Sequence, residues 1–491
     1  MKTTCELKNR FRGIKKVLLS IIICSLALVS YGQKNVDSLL RLTRNEIGKF
    51  SFRNAENYLQ EVEKTDSLHP ELLYLYCEMK LLLGNDEFMV YMEKLRNSGV
   101  SEYYHVMKLK HAHFIGLAEY ESLLEKYLAY YPDNGEIKFV QWLSELDKGN
   151  YEMCMQSAYG ISEETVFKFA PYLALFNISW DKNYKNAVAY MDTVEQIIGR
   201  EFYGSGYREI LKILSDTELK DFNDGLTELP FAWCGPGMGF YMIDEKGDSL
   251  KIELDTGTGF NLMTVHDKSL GKNISGTDVL VLEKGISYNY MDKPADLYYK
   301  KSNFSVPAYE NLIFGYFDSQ FFKADGCTSP FVFKNSALHI DPINEKVYLM
   351  DRQNLDRYIK ENKDKIEKVP YIVRNGWIFI PCKINGTETL MQLETGSRDV
   401  NFNTLSLEAL GLESYACSIE WNGQDFPIDK VDCTLEIGRI KYEVNGGLVT
   451  DTVYGNLLYG LASAGDIGPL FMQNFAFTID MFNQQIVFEK N

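Results

Sequence analysis

Apolar positions between residues 34 and 222 recur with the period of an α-helix. Leu72, Leu75, Tyr76, Met79, Leu82 and Leu83 fall at i, i+3, i+4, i+7, i+10 and i+11, one face of one helix. Ala55, Tyr58, Leu59 and Val62 repeat the arrangement. A weak longer period lies over this one. An aromatic residue opens a predicted helix at Phe52, Phe88, Tyr120, Tyr151 and Tyr184, at spacings of 36, 32, 31 and 33 residues. Ala55, Tyr91, Leu123, Cys154 and Ala187 stand three positions later. Gly84-Asn85, Gly116 and Gly149-Asn150 precede several of the starts, and Pro132-Asp133-Asn134-Gly135 breaks the chain between two helices.

From about residue 228 the texture changes to short runs rich in Tyr, Phe, Ile and Val, broken by Gly, Asn and Asp, which predict β-strands. The charge-dense stretch Asp351–Lys368 interrupts them and reads as a solvated helix or linker, ended by Val369-Pro370. A second β segment runs to Asn491. The two segments match at a lag of 139. Leu254-Asp255-Thr256-Gly257-Thr258 recurs as Leu393-Glu394-Thr395-Gly396-Ser397. Gly326, Pro330, Asn335, Ala337, Ile340, Asp341 and Asn344 recur as Gly465, Pro469, Asn474, Ala476, Ile479, Asp480 and Asn483. Across 251–262 and 326–348, 10 of 35 positions are identical, against roughly two expected from average residue usage. Both ends of the unit keep register, so the β half is a tandem duplication. Lys246-Gly247-Asp248 and Asn385-Gly386 are the predicted hairpin turns leading into each repeated loop.

An acidic residue, Thr and Gly closing an apolar strand, present twice, resemble the loops of the aspartic protease superfamily, specifically its retropepsin-like lobes. That family's second motif, two apolar residues and a Gly, is approximated by Asp466-Ile467-Gly468 in the second copy, and Cys327-Thr328-Ser329 stands at the matching place in the first. The resemblance covers about 228–350 and 370–491. It implies two lobes meeting at a pseudo-two-fold axis as an intramolecular pseudo-dimer. The helical half resembles tetratricopeptide-type hairpins, whose period is about 34 and which stack to form a groove for polypeptide; a plain α-helical domain is the other reading. The expected fold is therefore multidomain: 1–32 a signal peptide, 33–224 an all-α tetratricopeptide-like domain, 225–350 the first lobe, 351–369 a charged linker or helix, and 370–491 the second lobe of an all-β bilobal domain.

The chemistry implied by the resemblance is peptide-bond hydrolysis by a carboxylate dyad, Asp255 and Glu394, acting on a bound water without metal or cofactor. Two carboxyls about 3 Å apart cannot both ionise and share a proton. Thr256 and Thr395 would tie the loops together, and Gly257 and Gly396 permit the tight turns. Hairpin flaps are expected near Tyr288 and Tyr290 in the first lobe and near Trp421 and Gly423 in the second. The departure from the family is Glu394, which stands where Asp is usual. Its extra methylene carries the carboxyl outward by about 1.5 Å, so Glu394→Asp is expected to raise activity. Two functions therefore stand open: an aspartic endopeptidase-type hydrolase, and an inactive pseudoprotease that holds polypeptide as a binding or scaffold module.

Charge and the remaining motifs narrow the field. The chain carries 51 Lys+Arg against 68 Asp+Glu, a net charge of −17. Such a surface has no general attraction for nucleic acid or anionic membrane. Lys8, Arg10, Arg12, Lys15 and Lys16 precede the apolar run Val17–Val29, and Ser30 and Gly32 suit cleavage before Gln33. This predicts export to the periplasm or medium. Ile23 before Cys24 departs from a lipid-attachment site, and no later run is long enough to span a bilayer. Seven scattered cysteines remain after the leader and define no disulfide framework; a Cys417–Cys433 bridge and buried thiols are both open. His111 and His113, at i and i+2, make a poor metal pair, and no G-x-S-x-G, H-E-x-x-H or phosphate-loop pattern occurs.

Overall fold

The computed structural model describes residues 35–47, 52–148, 150, 153–154, 156–157, 185–191, 215, 225–243, 249–257, 262–264, 279–281, 298–302, 312–317, 324–333, 336–374, 377–397, 399–421, 424–450 and 463–490. A helical region precedes a β-rich region of two sheets, so the chain is laid out helix first and sheet second. The predicted leader, Lys246-Gly247-Asp248, Tyr151, Tyr184, Tyr288 and Tyr290 lie outside the described residues.

Helices span 35–47, Phe52–Glu63, Pro70–Leu82, Glu87–Arg96, Ser101–Phe114, Tyr120–Tyr130 and Gly135–Asp147. Phe52, Phe88 and Tyr120 stand at helix starts, and Ala55, Leu123, Cys154 and Ala187 are buried. The Asn134 side chain caps Gly135–Asp147, accepting from Ile137 N at 3.0 Å, which is why the chain turns at that Asn-Gly pair. Pro70–Leu82 departs from the one-faced expectation: residues 72–80 are all buried, with Glu78 and Lys80 among them. A helix apolar on several sides is covered on several sides. By their contacts the residues divide into two compact units, Met1–Lys80 with Glu87–Met107, and Leu81–Asp86 with Lys108–Asn491. The second unit thus includes helical residues as well as both β segments.

In the first β segment the strands are β1 (Leu226–Cys234), β2 (Gly237–Ile243), β3 (Ser249–Leu254), β4 (Leu262–Thr264), β5 (Val279–Val281), β6 (Tyr298–Ser302), β7 (Leu312–Phe317), β8 (Gly326–Thr328), β9 (Ala337–Asp341) and β10 (Lys346–Met350). In the second they are β11 (Ile366–Pro370), β12 (Ile372–Arg374), β13 (Trp377–Ile384), β14 (Thr387–Leu393), β15 (Val400–Asn403), β16 (Ser414–Trp421), β17 (Gln424–Ile437), β18 (Ile440–Thr450), β19 (Gly465–Ile467), β20 (Ala476–Asp480) and β21 (Gln485–Glu489). The order β2-β3-β8-β4-β7-β6-β5 in the first segment repeats as β13-β14-β19-β15-β18-β17-β16 in the second. Three strand pairs, β8/β19, β9/β20 and β10/β21, lie 139 residues apart end for end.

The halves are joined by one antiparallel layer, β11-β21-β20-β9-β10-β1. At its centre Ile340 pairs with Phe477, His339 with Thr478 and Leu338 with Ile479, so the two-fold axis passes between His339 and its own counterpart, Thr478. His339 Nδ1 lies 2.9 Å from Thr478 Oγ1. One apolar core runs through both halves, from Phe240 and Phe333 to Phe402, Phe471 and Phe488. Asn385 and Gly386 both take positive φ, 48° and 84°, the tight hairpin turn that Asn-Gly favours.

The charged stretch resolves into two elements. Arg352–Glu361 is a helix capped by Asp351, which accepts from Asn354 N at 2.8 Å. Residues 366–369, expected in the linker, instead belong to β11, Ile366–Pro370, on the edge of the joining layer. Ile366, Glu367 and Val369 are buried, Glu367 pairing with Arg439, while Lys368 stays exposed, so this part of the charge run is only partly solvated. Within the second unit the end of the helix Ser101–Phe114 and the turn that follows it grip the second half. Thr389 Oγ1 donates to Ile115 O at 2.8 Å, Ala118 N donates to Glu388 O at 3.4 Å, and the buried His111 Nε2 lies 3.0 Å from Leu405 O. Gly116, at φ 67°, lies so close to Leu390 that a Cβ would come within 2.8 Å of it. The described cysteines are free. Cys417 is exposed and opposite Ile428 while Cys433 is buried, so these two do not bridge.

Candidate active site

The two repeated loops meet at the axis. β3 ends at Leu254 beside β8, and β14 ends at Leu393 beside β19, in the same parallel register. Asp255 N donates to Thr328 O and Glu394 N to Ile467 O, both at 3.0 Å. The Asp466-Ile467-Gly468 motif therefore supports the second loop through the Ile467 carbonyl, with the Ile467 side chain fully buried. Gly468 begins the short helix Pro469–Met472. In the first half the same carbonyl comes from Thr328.

Thr256 and Thr395 lock the loops to each other. Thr256 Oγ1 donates to Leu393 O at 2.5 Å and accepts from Thr395 N at 2.9 Å. Thr395 Oγ1 donates to Leu254 O at 2.6 Å and accepts from Thr256 N at 2.9 Å. Neither threonine has any exposed surface. Each hydroxyl thus satisfies a donor and an acceptor on the opposite loop, leaving no buried polar group there unpaired.

This lock brings the carboxyls of Asp255 and Glu394 into hydrogen-bond contact. Gly257 N donates to Asp255 Oδ1 at 2.8 Å, and Gly396 N donates to Glu394 Oε1 at 3.0 Å. Each glycine also faces the opposite acid. A Cβ on Gly396 would stand 3.0–3.2 Å from the Asp255 carboxyl, whereas one on Gly257 would overlap Cδ and Oε2 of Glu394 and lie 2.7 Å from Oε1. The extra methylene of Glu394 is accommodated in that space. Its Oε2 also accepts from Gln392 Nε2 at 2.6 Å. Burial, reinforced by the charges of Asp255 and Asp466, raises the Glu394 carboxyl well above the ordinary range, against the lowering effect of the Gly396 amide. The pair therefore retains a shared proton where isolated carboxyls have lost theirs.

Three further polar groups surround the pair. Glu253 and Gln392 stand two residues before the acids, on the same strand faces, and both are buried. Burial, with the charge of Asp255, moves the Glu253 carboxyl up to about 8. The Asp466 side chain accepts from Asn401 Nδ2 at 2.7 Å, and burial carries it up to about 6 despite bonds to Asn401 and Ser397. Glu253 and Gln392 belong to none of the sequence motifs. Their signal was a polar residue at i−2 from both acids, at the lag of 139.

Of the flap positions, Trp421 ends β16 and pairs through its backbone with Gln424, so it lies at the tip of the hairpin β16–β17, while Gly423 is outside the described residues. Residues 414–418 and 425–427 of that hairpin are exposed, and β16 is the outer strand of its sheet. His113 Nε2 lies 3.2 Å from Asp147 rather than beside His111's partner, and no group of three metal-ligating side chains occurs among the described residues. No helix among the described residues is long and apolar enough to cross a membrane. No protein-family model matches the chain, and no curated protein matches it.

Proposed function

We propose that this chain is an exported aspartic-type endopeptidase with retropepsin-like lobes, acting on extended polypeptide. The observation that carries the reading is the Asp255–Glu394 carboxyl pair, hydrogen-bonded between two loops that Thr256 and Thr395 cross-link about a two-fold axis. Glu394, raised by burial and by Asp255, is the neutral acid; Asp255 is the ionised base. Asp255 takes a proton from a water as its oxygen attacks the scissile carbonyl carbon, and Glu394 gives its proton to the carbonyl oxygen. The tetrahedral species then collapses, the C–N bond breaks, and the proton held by Asp255 passes to the leaving nitrogen. The oxygen's proton returns to Glu394. Substrate would lie as a strand under the hairpin β16–β17, matched through main-chain hydrogen bonds. The helical region, in the tetratricopeptide-like reading, holds polypeptide partner or substrate.

The test is casein cleavage across acid to neutral pH by the full chain and by Asp255→Asn. The variant should cleave nothing, because the amide cannot accept the water's proton, and a chelator should change nothing in either. Cleavage surviving in Asp255→Asn would overturn the reading. The second reading, a pseudoprotease that binds polypeptide uncut, draws on the Gln392 bond: an amide donor on Oε2 favours the ionised Glu394. It predicts polypeptide binding without cleavage by wild type.

A further inference from the structure

Glu253 has no part in the chemistry above. Its carboxyl occupies the space beside Gly237, where a Cβ would overlap Oε1, approach Cδ to 3.0 Å and lie 3.3 Å from the Thr395 carbonyl oxygen. The acid of the first half thus shares that space with the backbone of the second half's loop. The counterpart, Gln392, stands beside the other acid as a neutral amide. The charged and titratable neighbours are few. Asp255 opens the loop that follows the same strand; Cys234 comes from β1, and Cys327 is the register partner on β8. Asp325 and Lys251 lie farther along, Lys251 donating from Nζ to Trp233 O at 3.3 Å. The facing part of β2, Gly237 to Gly239, brings no titratable side chain. An ionised Glu253 would set its charge beside Asp255 and on the side of the Thr395 carbonyl oxygen; a neutral one adds no such charge and carries a proton on that side.

We propose that Glu253 is a positioning residue: as the neutral acid it keeps the second loop seated against the first, and its ionisation sets the upper pH limit of the site. Its raised carboxyl, at about 8, places that loss of seating between neutral and mildly alkaline pH. The activity arm of the test rests on the peptidase reading; the melting arm does not.

The full chain is compared with Glu253→Gln and Glu253→Ala. Thermal midpoints followed from pH 4 to 9.5 should diverge as pH rises from the usual carboxyl range near 4.5 through 8, wild type ending below Glu253→Gln by about 3 °C or more. The alkaline limb of casein cleavage should move up in Glu253→Gln by about one pH unit. Glu253→Ala, with neither donor nor volume, should lose cleavage at every pH. Parallel melting curves for wild type and Glu253→Gln would overturn the proposal. Diverging curves with an unmoved alkaline limb would overturn it too, making Glu253 a residue of the fold alone. If no form cleaves, the peptidase reading falls, and the melting curves by themselves decide whether Glu253 seats the loop.

Discussion

Gly257→Ala and Gly396→Ala are the same chemical change at equivalent positions, and the structure makes their consequences unequal. At Gly396 a methyl would meet the Asp255 carboxyl at 3.0–3.2 Å, so a retreat of a few tenths of an ångström suffices. At Gly257 it would overlap Cδ and Oε2 of Glu394. Ordinary contact begins at about 3.5 Å, so the Glu394 carboxyl must withdraw by about 1 Å or more, giving up its partner. Misplacement of that size costs on the order of 100-fold in rate, and overpacking of this kind about 1–3 kcal/mol in stability. Casein cleavage and thermal melts of both variants should show Gly257→Ala as the far more damaging, with Gly396→Ala within about tenfold of wild type. Shortening the acid should relieve the clash, so Glu394→Asp is expected to restore stability and cleavage in the Gly257→Ala background. Alone, Glu394→Asp gives up the Gln392 bond at 2.6 Å, and the gain expected from sequence turns into a loss. That sign change is a double-mutant coupling. Equal effects of the two glycine changes, or no rescue by the shorter acid, would refute the packing argument.

Other outcomes follow from the same geometry. Thr395→Val strands Thr256 N–H and Leu254 O without partners and should cost about 2–3 kcal/mol in urea unfolding, with Thr395→Ser close to wild type. Asp466 is raised in the folded state, to about 6, so its favourable contribution is complete below the usual range near 3.8 and is lost as pH rises through 6. Asp466→Asn should therefore be more stable than wild type in urea unfolding at pH 7, by about 1–2 kcal/mol, and the difference should close by pH 4.

The duplicated loops could be read from sequence because the axis admits few residues. Thr256 and Thr395 must each donate and accept, Gly257 faces the Glu394 carboxyl where no side chain fits, and Gly396 stands in tight contact with the Asp255 carboxyl, so these positions stayed recognisable at a lag of 139. The strands nearest the joining layer kept the same lag because their pairing crosses the axis. Glu253 and Gln392 were passed over for a physical reason: a lone polar residue in a strand ordinarily faces solvent, and only the packing around Gly237 shows otherwise. Local pattern also misled at Ile366–Pro370, where charge density concealed the buried Ile366 and Val369. Nothing in the spacing of Ile115, Gly116 and Thr389 announces that the turn after Phe114 grips β14, since such surfaces are specified by shape and not by period.

The joining layer has a consequence for the site's history and its chemistry. Where a symmetric enzyme is assembled from two copies of one polypeptide, every substitution appears twice, and its two acids must stay identical. Here both halves are carried on one chain through β9 and β20, so each can drift alone. Asp255 faces Glu394, Glu253 answers to Gln392, and Cys327 to Asp466. Each exchange alters one side of the axis only. In the proposed peptidase the proton between the acids would then have a preferred owner before any substrate arrives, and a division of labour that a symmetric assembly must establish anew in each catalytic cycle would be written into the covalent chain.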